Sequence, residues 1–209
     1  MTHEQKRAPI RAYGNPMQPD FLNMPYAFTY PPYPSVESVE AWSSSPDGCD
    51  PVNLWVMHSP PKDRLDAINV PGLTGCAAQL SKIASARPML CVFGHYHFSW
   101  GVERVRWNDT DNGVAEAKIL AMSKERQEAG GGLEAEEERT VFDFSGQDNL
   151  VPLEGGRETI FVNAAWMTMK KRAVKDRNYP FQIVLDLGEL HGSLDRAPCT
   201  RKRSEINIV

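Results

Sequence analysis

The sequence predicts a mixed α/β fold, and three observations carry that prediction. Val52 to Met57, with its apolar run Leu54-Trp55-Val56-Met57, and Met89 to Phe93 are short segments bounded by chain breakers, the pattern of strands buried in a sheet. Between them, Cys76, Leu80, Ile83 and Ala84 recur at three- and four-residue spacing, which gives one apolar face to a helix over Gly75 to Arg87. Strand, helix and strand within about 40 residues form a βαβ-like unit, which brings both strand ends to one side of a sheet.

The elements follow in order. Residues 1–12 are polar and are expected to be a disordered N-terminus, and Tyr13 to Asp20 is turn-rich. Tyr26 to Tyr30 alternates as a short strand and Pro31-Pro32 ends it; a helical turn is expected around Val36 to Trp42. After the first buried strand, Asp63 to Pro71 is a loop, and Pro88 stops the helix that follows. Ser99 to Trp107 alternates as a strand. Val114 to Ala129 contains helix formers, before three glycines and the acidic run Glu134 to Glu138, which reads as a solvated face with no site in it. Thr159 to Trp166 and Phe181 to Leu187 are the last strands, and Lys170-Lys171-Arg172 is a solvated basic turn between them. The domain is therefore expected over 13–107 and 158–187. The stretch 108–157 is expected as a partly disordered insertion, and 188–209 as a disordered tail.

Composition narrows the function. The chain has 209 residues, room for one sizeable domain, and a formal charge of −4, which argues against a nucleic-acid binder. No run approaches the roughly 20 apolar residues that span a bilayer, and no secretory signal opens the chain. A soluble, cytoplasmic protein without nucleic-acid or membrane partners is expected; Arg201-Lys202-Arg203 is a weak nuclear-targeting cluster. The four cysteines are scattered, with no zinc-ribbon or disulfide pattern, and Cys76 and Cys91 read as reduced core residues.

Chemistry concentrates at two strand ends. The run Cys91-Val92-Phe93 breaks into Gly94-His95-Tyr96-His97, and the earlier run ends in His58-Ser59-Pro60-Pro61. Three of the five histidines thus stand where a buried strand becomes a loop, the place where α/β proteins gather ligands. Imidazole is the commonest metal ligand, and Gly94 is expected to supply a backbone turn closed to other residues. His58, His95 and His97 are therefore candidate metal ligands, with Gly94, Tyr96, Ser59 and Pro60 forming the loops around them. The bland alternative is three polar residues at strand ends, holding no metal.

The ordered set Gly14-Asn15-Pro16, Met57-His58-Ser59-Pro60-Pro61 with Asp66, Gly75-Cys76, Arg87-Pro88, Phe93-Gly94-His95-Tyr96-His97 and Phe161-Val162-Asn163-Ala164 resembles the C-terminal half of a calcineurin-like metallophosphoesterase. The resemblance implies part of a β-sandwich flanked by helices, with Asn163 on a site loop. It also implies a hydrolase of phosphate mono- or diesters, in which His58 and His95 bind one metal and His97 another. Two such ions (Mn, Fe or Zn) clamp a phosphate and activate a water.

The family's Asp-x-His, Gly-Asp and Gly-Asn-His elements do not occur, so the N-terminal half of the fold and its bridging carboxylate are expected to be missing. A truncated hydrolase, holding one weakly bound ion or none, is the expected state; no catalytic residue is assignable. The alternative is a non-catalytic remnant acting as a binding or scaffold protein. A cupin, suggested by His95, His97 and Glu103, fails on spacing, because five residues separate His97 from that glutamate.

Overall fold

The computed structural model describes residues 10–21, 23, 26–32, 34–48, 52–67, 74–122, 141–146, 150–165 and 181–185. The tail 188–209, the Lys170-Lys171-Arg172 turn, Cys49 and Cys199 lie outside them. The fold is mixed α/β, with a multi-stranded sheet and few helices. In chain order the elements are β1 (Ala12–Asn15), β2 (Gln18–Pro19), β3 (Thr29–Tyr30), α1 (Val36–Glu40), β4 (Leu54–Met57), α2 (Ala77–Ala86) and β5 (Leu90–Phe93). A 3-10 turn over His97–Ser99 follows, then β6 (Gly101–Trp107), β7 (Val114–Met122), β8 (Val141–Asp143), β9 (Glu158–Asn163) and β10 (Gln182–Val184).

Six strands make the main sheet in the order β1-β4-β5-β9-β6-β7, and β8 with β10 and β2 with β3 make two-stranded sheets. β1, β4, β5 and β9 run parallel, whereas β6 and β7 are antiparallel. The pleat sends alternate residues to opposite faces. One face carries Trp55, Cys91, Phe93, Phe161, Val105 and Trp107 onto Ile83 and Ala84 of α2 and onto Trp42 and Tyr30, closing the larger core. The opposite face carries Val102, Ile160 and Val162 against Phe142 and Phe144 of the β8 region.

α2 is held at both ends. Its C-cap, Arg87, is left-handed (φ 49°) and donates its backbone N–H to the Ile83 carbonyl at 2.7 Å. The Arg87 guanidinium reaches the Gly156 carbonyl (3.3 Å) and Asn112 Oδ1 (3.1 Å), tying the helix end to the far edge of the sheet. At the entry, Gly75 is packed so closely that a Cβ there would lie 2.6 Å from the Pro60 carbonyl oxygen, and closer still to Pro61.

Several elements differ from expectation. Val114 to Met122 is a strand rather than the start of a helix, because the Asn112-Gly113 turn folds it back onto β6 and pairing outweighs propensity. β7 and β8 both fall inside 108–157. Only Thr29–Tyr30 of the alternating run near residue 28 is a strand, since Phe28 takes a positive φ of 59°. No helix among the described residues is long and apolar enough to cross a membrane.

Candidate functional site at the ends of the parallel strands

β4 and β5 pair in parallel register through Val56 and Val92, so their C-terminal ends finish side by side. The register continues past the strands: Gly94 N–H donates to the His58 carbonyl at 3.1 Å, and Ala164 N–H to the Phe93 carbonyl at 2.7 Å. Two chain ends separated by 36 residues of sequence are thereby locked together. The rings of His58 and His95 stand with centroids 4.6 Å apart and planes 42° apart.

His95 has a positive φ of 67°, and Tyr96 N–H donates to the Gly94 carbonyl at 2.7 Å. That bond closes a three-residue γ-turn of the rare, strained hand, centred on the histidine. Gly94 was the expected pivot, yet it is not among the residues of positive φ. A Cβ on Gly94 would meet only ordinary contacts of 3.8 Å or more. Histidine tolerates the left-handed region better than most residues, but such strain persists only where the surroundings hold it.

Those surroundings are two buried amides. Asn163, fully buried at the end of β9, donates to the carbonyls of Tyr96 (2.9 Å) and Leu65 (3.1 Å) and accepts from Ala165 N–H (3.1 Å). It thus joins the histidine loop to the 61–67 loop. Gln79 of α2, also fully buried, donates to the Ser59 carbonyl at 3.0 Å and lies 2.9 Å from the Met57 sulfur, gripping both neighbours of His58. Sequence reasoning missed Gln79. Its signal was a polar residue on the apolar stripe, three after Cys76 and four before Ile83. Asp66 adds a third tie, its Oδ2 accepting from Asp63 N–H (2.9 Å) and Gly75 N–H (2.8 Å). Ser59, Pro60, Pro61 and Tyr96, in the loops that follow the two strands, are buried, and the Tyr96 hydroxyl donates to the Thr74 carbonyl at 3.3 Å.

His58 and His95 keep one side open to solvent. Partial burial lowers the His58 pKa. Burial, then the neighbouring His58 and His97, push His95 down to about 4. Burial, followed by the Asp66 carboxylate and Cys76, raises the Tyr96 phenol. At pH 7 the site therefore presents two uncharged imidazoles, each with one N–H donor and one acceptor nitrogen.

This donor set does not fit a dinuclear metal centre. Among the described residues no group of three or more His, Cys, Asp or Glu side chains is arranged to hold a metal ion. His97 begins the 3-10 turn and influences His95 through charge, while the close ring pair consists of His58 and His95 alone. Asp66, a carboxylate of the 61–67 loop, uses Oδ2 to accept from two backbone amides.

No protein-family model matches the chain. The chain is similar to a protein of Emericella nidulans named probable rhamnogalacturonate lyase C, 34% identical over 101 residues. Those residues are 47% of this chain and 8% of that protein, so the chain spans less than a tenth of its relative. The finding overturns the resemblance to a calcineurin-like metallophosphoesterase and, with it, hydrolysis of phosphate esters. The relative is named for a polysaccharide lyase. A Gly-His-x-His loop on a parallel strand carries little family information by itself, since any α/β sheet can place polar side chains there.

Proposed function

We propose that this chain is a carbohydrate-active module that binds an acidic, galacturonate-containing polysaccharide across the strand-end face bearing His58 and His95. The observation that carries the reading is the 101-residue similarity to the rhamnogalacturonate lyase. The chemistry of the face is compatible with it. Two neutral imidazoles 4.6 Å apart offer paired donors and acceptors to sugar hydroxyls and to a uronate carboxylate. Because a larger ordered framework fixes both rings, little conformational freedom is lost on binding. The β8–β10 sheet laid over one half of the main sheet is read here as a β-sandwich layer behind that face.

Gel retardation in rhamnogalacturonan, compared with a neutral glucan, tests the reading. The acidic polymer is expected to retard the wild-type chain, and His58→Ala and His95→Ala are expected to migrate freely. Equal migration of wild type and variants in both gels overturns it. Ultraviolet absorbance of an unsaturated uronate, followed in the same mixtures, reports whether the module also cuts the polymer.

A further inference from the structure

The geometry points to Gln79 as a positioning residue that holds the His58 ring against His95. It rests on the histidine pair being the working part of the proposed polysaccharide site, but its readout needs no polysaccharide.

Gln79 stands on the core-facing side of α2, with Ile83, Ala84 and Ala86 also buried on that helix. An apolar side chain of similar volume would fill that space without burying an amide, and burying a polar group is costly unless it is hydrogen-bonded. The amide is used on one short stretch only. Nε2 bonds the Ser59 carbonyl at 3.0 Å and approaches the Met57 sulfur at 2.9 Å, the residues on either side of His58. From the opposite direction, Gly94 N–H takes the His58 carbonyl. His58 is therefore fixed from the helix through its neighbours and from β5 through its own backbone. Pro60 and Pro61 have no backbone N–H, so the next backbone donor after Ser59 is Lys62, which bonds the Cys76 carbonyl at 3.2 Å; between β4 and that bridge the Ser59 carbonyl is held by Gln79. Release of the Ser59 carbonyl removes the tie from the helix side and leaves His58 held from β5 alone, and the 4.6 Å ring separation is the distance that would open first.

The test is a ring-to-ring nuclear Overhauser cross-peak between His58 and His95, recorded on the full chain alongside its melting temperature. Wild type is expected to show the cross-peak. Gln79→Met, which keeps volume but not the donor, is expected to fold and to lose it. Ile83→Val, a core change remote from the loop, is expected to lower the melting temperature and keep the cross-peak. Gln79→Glu supplies the rescue. A buried carboxyl stays protonated to higher pH than a free one and then donates an O–H to the Ser59 carbonyl. Its cross-peak is expected at acid pH and is expected to fade as the carboxyl ionises. A folded Gln79→Met with the wild-type cross-peak overturns the assignment. Should that variant fail to fold, a Gln79→Glu cross-peak unchanged across the carboxyl titration overturns it equally. Wild-type polysaccharide binding with the cross-peak absent from Gln79→Met supports the positioning role while counting against the pair as the binding element.

Discussion

The backbone N–H of Gly94 donates to the carbonyl of His58 at 3.1 Å, and this bond makes two strand ends into one site. It sets His95, one residue on, beside His58 and leaves the γ-turn at His95 no room to relax. The consequences can be measured.

Protonation of the pair should weaken folding. His95 titrates near 4 in the folded chain and near 6.5 when unfolded, and His58 is lowered as well. Between those values the unfolded state binds more protons, so stability rises with pH through the window and is lost as pH falls from 6.5 toward about 4. The melting temperature of wild type should drop across that window more than that of His95→Asn. Parallel curves for the two proteins would show that the imidazole is not perturbed.

Acid should also strengthen uronate binding. A uronate is still partly ionised at the pH of about 4 where His95 gains a proton, and a charge-assisted hydrogen bond is roughly twice as strong as a neutral one. Affinity for the acidic polysaccharide should increase as pH is lowered toward about 4, where His95 gains its proton, in the range where the chain is still folded, and the increase should vanish in His95→Ala. An affinity that falls with pH alongside intact folding would contradict this.

Asn163→Ala should cost about 3 kcal/mol, because it strands the Leu65 and Tyr96 carbonyls and the Ala165 N–H, at about 1 kcal/mol each. Chemical denaturation measures it. A cost near zero would mean that the two loops hold together without the amide.

Gly75→Ala should be among the most damaging small substitutions, at about 3 kcal/mol or more. The new methyl meets the Pro60 and Pro61 backbone rather than a side chain that can move. Glu158→Ala should follow at about 3 kcal/mol, since Glu158 is buried and bonded to Arg104 at 2.5 Å. Arg106→Ala should cost less, since Arg106 is exposed, its bond at 2.8 Å is to the exposed Glu154, and Glu158, 3.4 Å away, keeps Arg104 as its partner. A reversed order between Glu158 and Arg106 would undo this account of the charged face.

The parallel core was legible because its signals are local. Trp55 and Cys91 lie in unbroken apolar runs, and α2 shows its stripe through Ile83 and Ala84. β1 was not, because Ala12 and Gly14 are exposed and only the pairing with β4 makes that stretch a strand. β7 was misread because Ala117, Lys118 and Leu120 favour helices, whereas Asn112-Gly113 held the better clue. At the site, sequence placed His58 and His95 at strand ends, and Asn163 on a site loop through the resemblance; the structure brings the two rings together and ends β9 at Asn163. It did not reveal the γ-turn at His95 or the grip of Gln79, since both depend on residues distant in the chain. The family resemblance rested on short motifs, and such motifs fix strand ends more firmly than they fix chemistry.

The most direct measurement is calorimetric titration of the chain with rhamnogalacturonan fragments near neutral pH, for wild type and for the His58→Ala, His95→Ala double variant. Alanine at position 95 also takes on the positive φ of that turn, so the melting temperature of the double variant is measured alongside to establish that it is folded. Saturable heat for wild type, absent from the folded double variant, is the predicted result. No heat with wild type, or undiminished heat with the double variant, would contradict a polysaccharide site built on this pair.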